Sequence, residues 1–343
     1  LKRLSKKQKW WQLRLIRKIK RKLSLRANKT YYSAREYSNE IFLNNYPNKI
    51  YRPDKRILKN TVKSISAPKI FNIQDDKYRP IVTRFLSSLR DAFSDTNIDK
   101  IVLDFTHTEQ FVADATLLFF SEVLYLKEKP GVTAILRYKP PINERASDVL
   151  HQIGFHVLCG GNATSGLTTN DEDVVHWRFA QGSIVDNSLC APAIEQYEGQ
   201  LAAPLMEGLF RGLGEAMTNT SHHAYLETRK DNLNYKPPTK NWWMFSQSKD
   251  EYLSVVFCDL GIGIPRTLPL TMPEILKRLV RLKKPIKDSE CIKKAVQHGL
   301  SRTKQPERGK GLGDIVEVVT KKKTGQFSYT AIKECIIKMK LAS

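Results

Sequence analysis

Glu215-Ala216-Met217-Thr218-Asn219-Thr220-Ser221-His222-His223 closes a run in which Leu205, Leu209, Leu213 and Met217 recur every four residues. That spacing predicts a helix with one apolar stripe. Glu215 and Asn219 are also four apart, so on such a helix their side chains share a face. A carboxylate beside a neutral amide suits magnesium and an ordered water. Asn219 offers a carbonyl oxygen, the ligand type a hard cation prefers. Glu215 could take a proton from an attacking water or hydroxyl. Taken alone, the same pattern also describes a helix with a few polar residues on its solvent face.

Two further stretches follow in order. Asp259-Leu260-Gly261-Ile262-Gly263-Ile264-Pro265 comes after Leu253, Val255, Val256 and Phe257, which read as a buried strand. A carboxylate at a strand end can accept a hydrogen bond from an exocyclic amine. Gly261 and Gly263 allow backbone conformations and a close approach that a side chain would block. By itself, Asp-x-Gly is also an ordinary strand-to-turn ending. Arg308-Gly309-Lys310-Gly311-Leu312-Gly313 precedes Ile315, Val316, Val318 and Val319, a glycine loop opening onto an apolar helix. Free backbone N–H groups at such a start make an anion site, to which Arg308 and Lys310 add charge. No Lys-Ser/Thr follows the last glycine, so the loop is not of Walker type, and it lacks the dinucleotide fingerprint.

All three stretches lie, in this order, within about a hundred residues. Together they resemble the N, G1 and G2 boxes of the GHKL superfamily, which includes gyrases, Hsp chaperones and histidine-kinase catalytic domains. The resemblance covers roughly the last half of the chain and implies an ATP site that uses Mg2+. It assigns magnesium coordination to Asn219, general-base or water-positioning work to Glu215, and the adenine amino group to Asp259. It implies that Gly261, Gly263 and Ile264 shape the nucleotide pocket and that Arg308, Gly309, Lys310, Gly311, Leu312 and Gly313 meet the phosphates. His222 falls where many kinase members carry a basic residue near those phosphates. The basic, Pro-interrupted stretch between Pro265 and Arg308 corresponds to the family's mobile lid.

The middle of the chain alternates apolar strand and helix patterns, an α/β signature. Ile101-Val102-Leu103-Asp104-Phe105 reads as a buried strand. Phe111 to about Leu126 reads as an apolar helix, and a strand is expected at Val132–Leu136. A helix over 145–158 is expected to end before a last short strand. This order, with Asp114-Ala115-Thr116-Leu117 at a helix start, is similar to the STAS fold of anti-sigma-factor antagonists. The resemblance aligns Thr116 with the phospho-acceptor, although Leu117 replaces the usual glycine. A helix cap or a buried hydroxyl is the other reading of Thr116.

The expected architecture is therefore a basic arm over residues 1–30 and a linker or irregular subdomain over 31–70. A STAS-like α/β domain over 71–165 follows, and then a GHKL domain over 166–343. The second domain is expected to be a two-layer sandwich of a mixed sheet with helices on one face. Its first strand is expected near Val174–Phe179, after the glycine-rich loop at 160–166.

The 343 residues carry a net charge of +22. Thirteen lysines and arginines, and no acid, lie in residues 1–30. Trp11, Leu15, Ile19 and Leu23 recur every four residues there, which fits a basic amphipathic helix. Lys6, Lys7, Lys9, Trp10, Trp11, Arg14, Arg17, Lys18 and Arg21 are its candidate contacts to nucleic acid or a partner. An anionic membrane surface, or a solvated arm packed on the body, fits the same composition. The five cysteines form no Cys-x-x-Cys pair, which argues for a reducing compartment. No run of ~18 apolar residues and no signal peptide is visible, so a cytoplasmic protein is expected.

The leading functional reading is a magnesium-dependent ATPase switch acting on a protein partner or nucleoprotein complex, of a kind that would suit bacterial stress or phage defence. A serine/threonine kinase of the anti-sigma-factor type is the alternative, since its Glu-x-x-x-Asn helix is similar. A nucleic-acid-binding regulator with a non-hydrolysing ATP site is another. A histidine kinase fits less well, because His107, His151 and His156 lie in the α/β segment rather than in a long dimerising helix.

Overall fold

The computed structural model describes residues 61–161, 177–197, 203–231, 233–249, 252–271, 288, 290–292, 325–330 and 334–340. The chain is mixed α/β with open sheets. The first half builds a three-stranded parallel sheet. Strand β1 (Val62–Ser66) pairs with β3 (Lys100–Asp104), which pairs with β5 (Ile135–Lys139). A short parallel ribbon, β2 (Ile70–Phe71) with β4 (Gln110–Phe111), lies beside it. Helix α1 (Arg79–Ser94) crosses from β2 to β3. Its Val82, Phe85, Leu86, Leu89, Ala92 and Phe93 are buried at helical spacing, and Pro80 sits in the first turn, where its missing N–H costs nothing. Residues 62–66, in the stretch whose composition suggests a linker or irregular subdomain, form a sheet strand. Only Ile65 of them is buried, which is why no periodic signal marks it.

Helix α2 (Ala113–Glu128) connects β4 to β5, and every residue from Ala113 to Leu126 is buried. A helix that is apolar all round must be covered on all sides. Phe119 packs with Phe71, Phe85 and Phe105 of the first half. Phe120, one residue on, packs with Phe179 and Phe245 of the second half. Segments on both sides of position 165 therefore share one buried apolar cluster, running from Ile65 to Leu260. Strand β5 begins three residues later than the apolar run at 132–136 predicts. The helix expected over 145–158 is divided by Gly154, whose φ of 79° is left-handed, into α3 (Glu144–Gln152) and α4 (Phe155–Leu158).

The second half is a five-stranded sheet in the order β6-β7-β8-β10-β9. The strands are β6 (Arg178–Gly182), β7 (Trp242–Lys249), β8 (Tyr252–Asp259), β9 (Gly325–Thr330) and β10 (Glu334–Lys340). Every described pairing in it is antiparallel, so the mixed sheet expected from the resemblance is not what forms. One face of this sheet is lined by helices of the second half and the other by α2 of the first. Ala180, Trp242, Met244, Val255 and Phe257 join a cluster with α5 (Ala191–Ile194) and α6 (Ala203–Asn219). Phe179, Trp243, Phe245, Val256 and Cys258 join the cluster of α2. The physical reason lies in β7, whose Trp242-Trp243-Met244-Phe245 is apolar on both alternating faces, so both faces need cover.

Cys159, Cys190, Cys258 and Cys291 are buried, and among the described residues they form no disulfide. Burial pushes the Cys159 thiol up to about 12, which keeps it protonated and inert. Among the described residues, no helix is long and apolar enough to cross a membrane.

Candidate functional site

Leu205, Leu209, Leu213 and Met217 bury the apolar stripe of α6 against the sheet. Glu215 and Asn219 are half-buried on the same helix. After Asn219 the helix widens into a π-turn over Thr220–Ala224. Hydroxyls loosen the helix here. Thr218 donates to Gly214 O at 2.8 Å and Thr220 to Ala216 O at 2.9 Å, both bonding back by one turn. Such π-turns within helices are often found at functional sites.

The carbonyls at the end of a helix need donors. Here one comes from the turn that follows β8, one from the helix after it and one from the segment before β7. Ile262 N donates to Ala224 O at 2.7 Å. Thr267, in α7 (Ile264–Thr271), reaches His223 O at 3.4 Å and Gly263 O at 2.8 Å. Lys240, just before β7, donates to Ser221 O. The end of the Glu215/Asn219 helix and the Asp259 turn are therefore joined by main-chain bonding.

Asp259 ends β8. Its Oδ1 accepts from Gly261 N at 2.9 Å, an Asx-type turn, and its Oδ2 accepts from Thr220 Oγ1 at 3.4 Å. The two bonds orient the carboxylate. Gly261 is sterically required: a β-carbon there would lie 2.2 Å from Ala224 O. Gly263 has a φ of 78°, the left-handed region glycine enters without strain, and α7 starts directly after it. Pro265 occupies the first turn of that helix, as prolines favour.

Tyr225 seals the turn from below. Its hydroxyl donates to Asn241 O at 2.6 Å and accepts from Leu260 N at 3.3 Å. Burial, with the charge of Asp259 nearby, pushes the phenol well above its ordinary value, so it stays a neutral donor. His222 is exposed on the π-turn, its ring 5.9 Å from that of His223.

Glu215, Asn219 and His222 thus lie on the helix and π-turn whose end is bonded to the turn that carries Asp259, Gly261, Gly263 and Ile264. Arg308, Gly309, Lys310, Gly311, Leu312 and Gly313 lie outside the described residues, as do Lys6, Lys7, Lys9, Trp10, Trp11, Arg14, Arg17, Lys18 and Arg21. Thr116 lies on α2, where it is fully buried and donates to Val112 O at 2.7 Å. A phosphoryl donor would have to open the start of α2 to reach it. Thr220, Tyr225 and the Ala224 carbonyl are the site residues that sequence reasoning missed. Thr220 sits beside Asn219 in the quoted stretch, but nothing local marks its reach to Asp259, 39 positions on.

Among the described residues, no three or more His, Cys, Asp or Glu gather into a metal cage. Magnesium held by one side chain and by substrate phosphates needs no such cage. No protein-family model and no curated protein matches this chain, so the residues of the turn themselves carry the functional reading.

Proposed function

We propose that this chain is a GHKL-type, magnesium-dependent ATPase switch, with a STAS-like first half and an ATP-binding second half. One observation carries the reading. The helix bearing Glu215 and Asn219 ends on the Asp-x-Gly-x-Gly turn, in contact so close that Gly261 admits no side chain. That juxtaposition is what an adenine nucleotide needs: a carboxylate for the base, a backbone cradle without side chains, and a magnesium-compatible amide on the adjoining helix.

The residues present fit the nucleotide and its ion. Asp259, oriented by Gly261 N and Thr220, would accept from the adenine amino group. The Asn219 carbonyl would share a magnesium ion with the phosphates, and the ion would offset their charge as the terminal phosphoryl leaves. Glu215 would orient the attacking water and take its proton. Arg308 and Lys310, with the glycines around them, are the proposed phosphate contacts.

The test follows γ-labelled ATP into free phosphate and into protein, wild type beside Glu215→Ala and Asn219→Ala. Glu215→Ala should lower free-phosphate release by about a hundredfold or more while ATP still binds, the scale of losing a general base. Asn219→Ala should abolish the magnesium dependence of binding. Label appearing on the protein would favour the kinase alternative. Failure of the wild type to bind ATP would overturn the nucleotide reading.

We also propose that residues 1–30 hold nucleic acid through phosphate contacts, on the strength of thirteen basic residues without an acid. Deleting them should remove salt-sensitive nucleic-acid binding and leave ATP affinity unchanged. Equal binding with and without the arm would place that charge in another role.

A further inference from the structure

Helix α2 belongs to the first half by sequence, yet its buried polar groups point at the segments that frame the turn. Glu122 has no exposed surface. Its two oxygens take a bidentate pair from Arg229, at 2.7 and 2.9 Å, and Arg90 of α1 adds a bond of 2.9 Å. Arg229 lies five residues beyond the π-turn. It stacks over the Tyr125 ring at 4.3 Å and forms an ion pair with Asp231 at 2.5 Å. Other α2 residues reach the same region. Ser121 Oγ lies 3.7 Å from the sulfur of Cys258, the residue before Asp259. Tyr125 donates to Tyr235 O at 3.0 Å. Glu128 accepts at 3.0 Å from Asn241, whose own carbonyl receives the Tyr225 hydroxyl.

Apart from the Arg90 bond to α1, each of these contacts lands on a strand end or loop that borders the turn: 225–241 on one side and Cys258 on the other. Bidentate arginine–carboxylate pairs fix orientation as well as distance. A fully buried one gives way as a unit rather than gradually, because a charge left alone there is costly.

We infer that Glu122 is a positioning residue for the proposed nucleotide site: through Arg229 it holds the 225–231 segment, and so sets the Asp259–Gly263 turn against the end of the Glu215/Asn219 helix. The first half is then a wall of that site rather than a separate module beside it. Whatever displaces α2 alters nucleotide affinity, and by linkage nucleotide binding alters the hold on α2. The affinity part of this inference rests on the ATP reading above. The positioning itself does not.

The test uses the full chain and two variants of comparable cost to the fold. Glu122→Gln keeps the shape and removes the charge. Leu89→Ala removes a fully buried side chain from α1, in the core of the first half. Hydrogen exchange is measured without nucleotide on the amides of Leu260, Gly261 and Ile262, relative to those of β7. Binding of ATP with magnesium is then titrated.

Glu122→Gln should speed exchange at the three turn amides and weaken ATP binding, each by about tenfold, within the usual range of coupling between sites. Leu89→Ala should lower the melting temperature and leave both within about twofold, because it removes no group that bonds the 225–241 segment or Cys258. Equal turn exchange in the two variants would overturn the inference. A wild type that does not bind ATP would sink the ATPase proposal, while the exchange comparison would still decide the positioning role. If Glu122→Gln does not fold, Arg229→Lys keeps the charge and removes the bidentate pair. It should then speed turn exchange relative to β7 where Leu89→Ala does not, and no such difference would overturn the inference.

Discussion

Glu122→Ala should destabilise the protein by about 3–5 kcal/mol at neutral pH, the cost of leaving a buried partner charge uncompensated. Arg229 is itself buried, and without the carboxylate the Tyr125 ring and Asp231 are what it keeps among the described residues. Burial alone would raise the Glu122 carboxyl, but the Arg229 and Arg90 guanidiniums overcome it and hold the group down at about 2, against an ordinary 4.5. The sign of the pH dependence follows. A carboxyl depressed in the folded state contributes its full stability above 4.5 and loses it as pH falls toward 2. The gap between wild type and Glu122→Ala should therefore be widest at neutral pH and close between pH 4.5 and about 2. Urea unfolding at a series of pH values measures it. A loss below about 1 kcal/mol at pH 7 would mean that the pair behaves as a solvated surface bridge. Replacing the pair with apolar residues, as in Glu122→Leu with Arg229→Met, should recover part of the loss. Recovery should be incomplete, because Asp231 would then be the buried charge without its guanidinium.

Gly261→Ala should be the most damaging single-methyl change in the candidate site. Its β-carbon would sit 2.2 Å from Ala224 O and 2.5 Å from the Ala224 β-carbon. Both obstacles belong to the main chain or its first side-chain atom, so no rotamer change relieves them. The turn must move away from the helix end, which breaks the Ile262 N to Ala224 O bond and tilts Asp259. Overpacking of this kind costs about 1–3 kcal/mol in stability. Misplacing a binding group by about 1 Å can cost on the order of a hundredfold in function. ATP affinity measured beside thermal unfolding separates the two effects. Gly214→Ala is the control: its β-carbon would have the Asn187 side chain as its nearest contact, at 3.3 Å, and a helical alanine gains up to about 1 kcal/mol in propensity. Gly214→Ala should fold and bind normally. Equal damage from both substitutions would mean that the close approach at Gly261 is not what shapes the turn.

The helix of the candidate site was legible because Leu205, Leu209, Leu213 and Met217 state its period and its buried face. Strand β8 was legible from a continuous apolar run, and Gly261 and Gly263 from the turn their spacing requires. Each of these is a property of neighbours in sequence. Strand β1 left almost no trace, since one buried residue in five makes no pattern. Helix α1 carries a stripe of the same kind at 82, 85, 86, 89 and 93.

What tertiary structure alone decided is which surfaces meet. The Trp242–Phe245 run announces a strand buried on both faces, but it does not say that a helix more than a hundred residues earlier covers one of them. Glu122 stands in the apolar run of α2 as an anomaly. Only folding supplies Arg229, 107 positions away, to neutralise it. Periodicity records how deeply a residue is buried and in which local geometry. It carries no record of the partner, because packing and buried charge pairing depend on positions that the chain brings together only when it closes. The parts of the candidate site came from the sequence, and their assembly around α2 came from the fold.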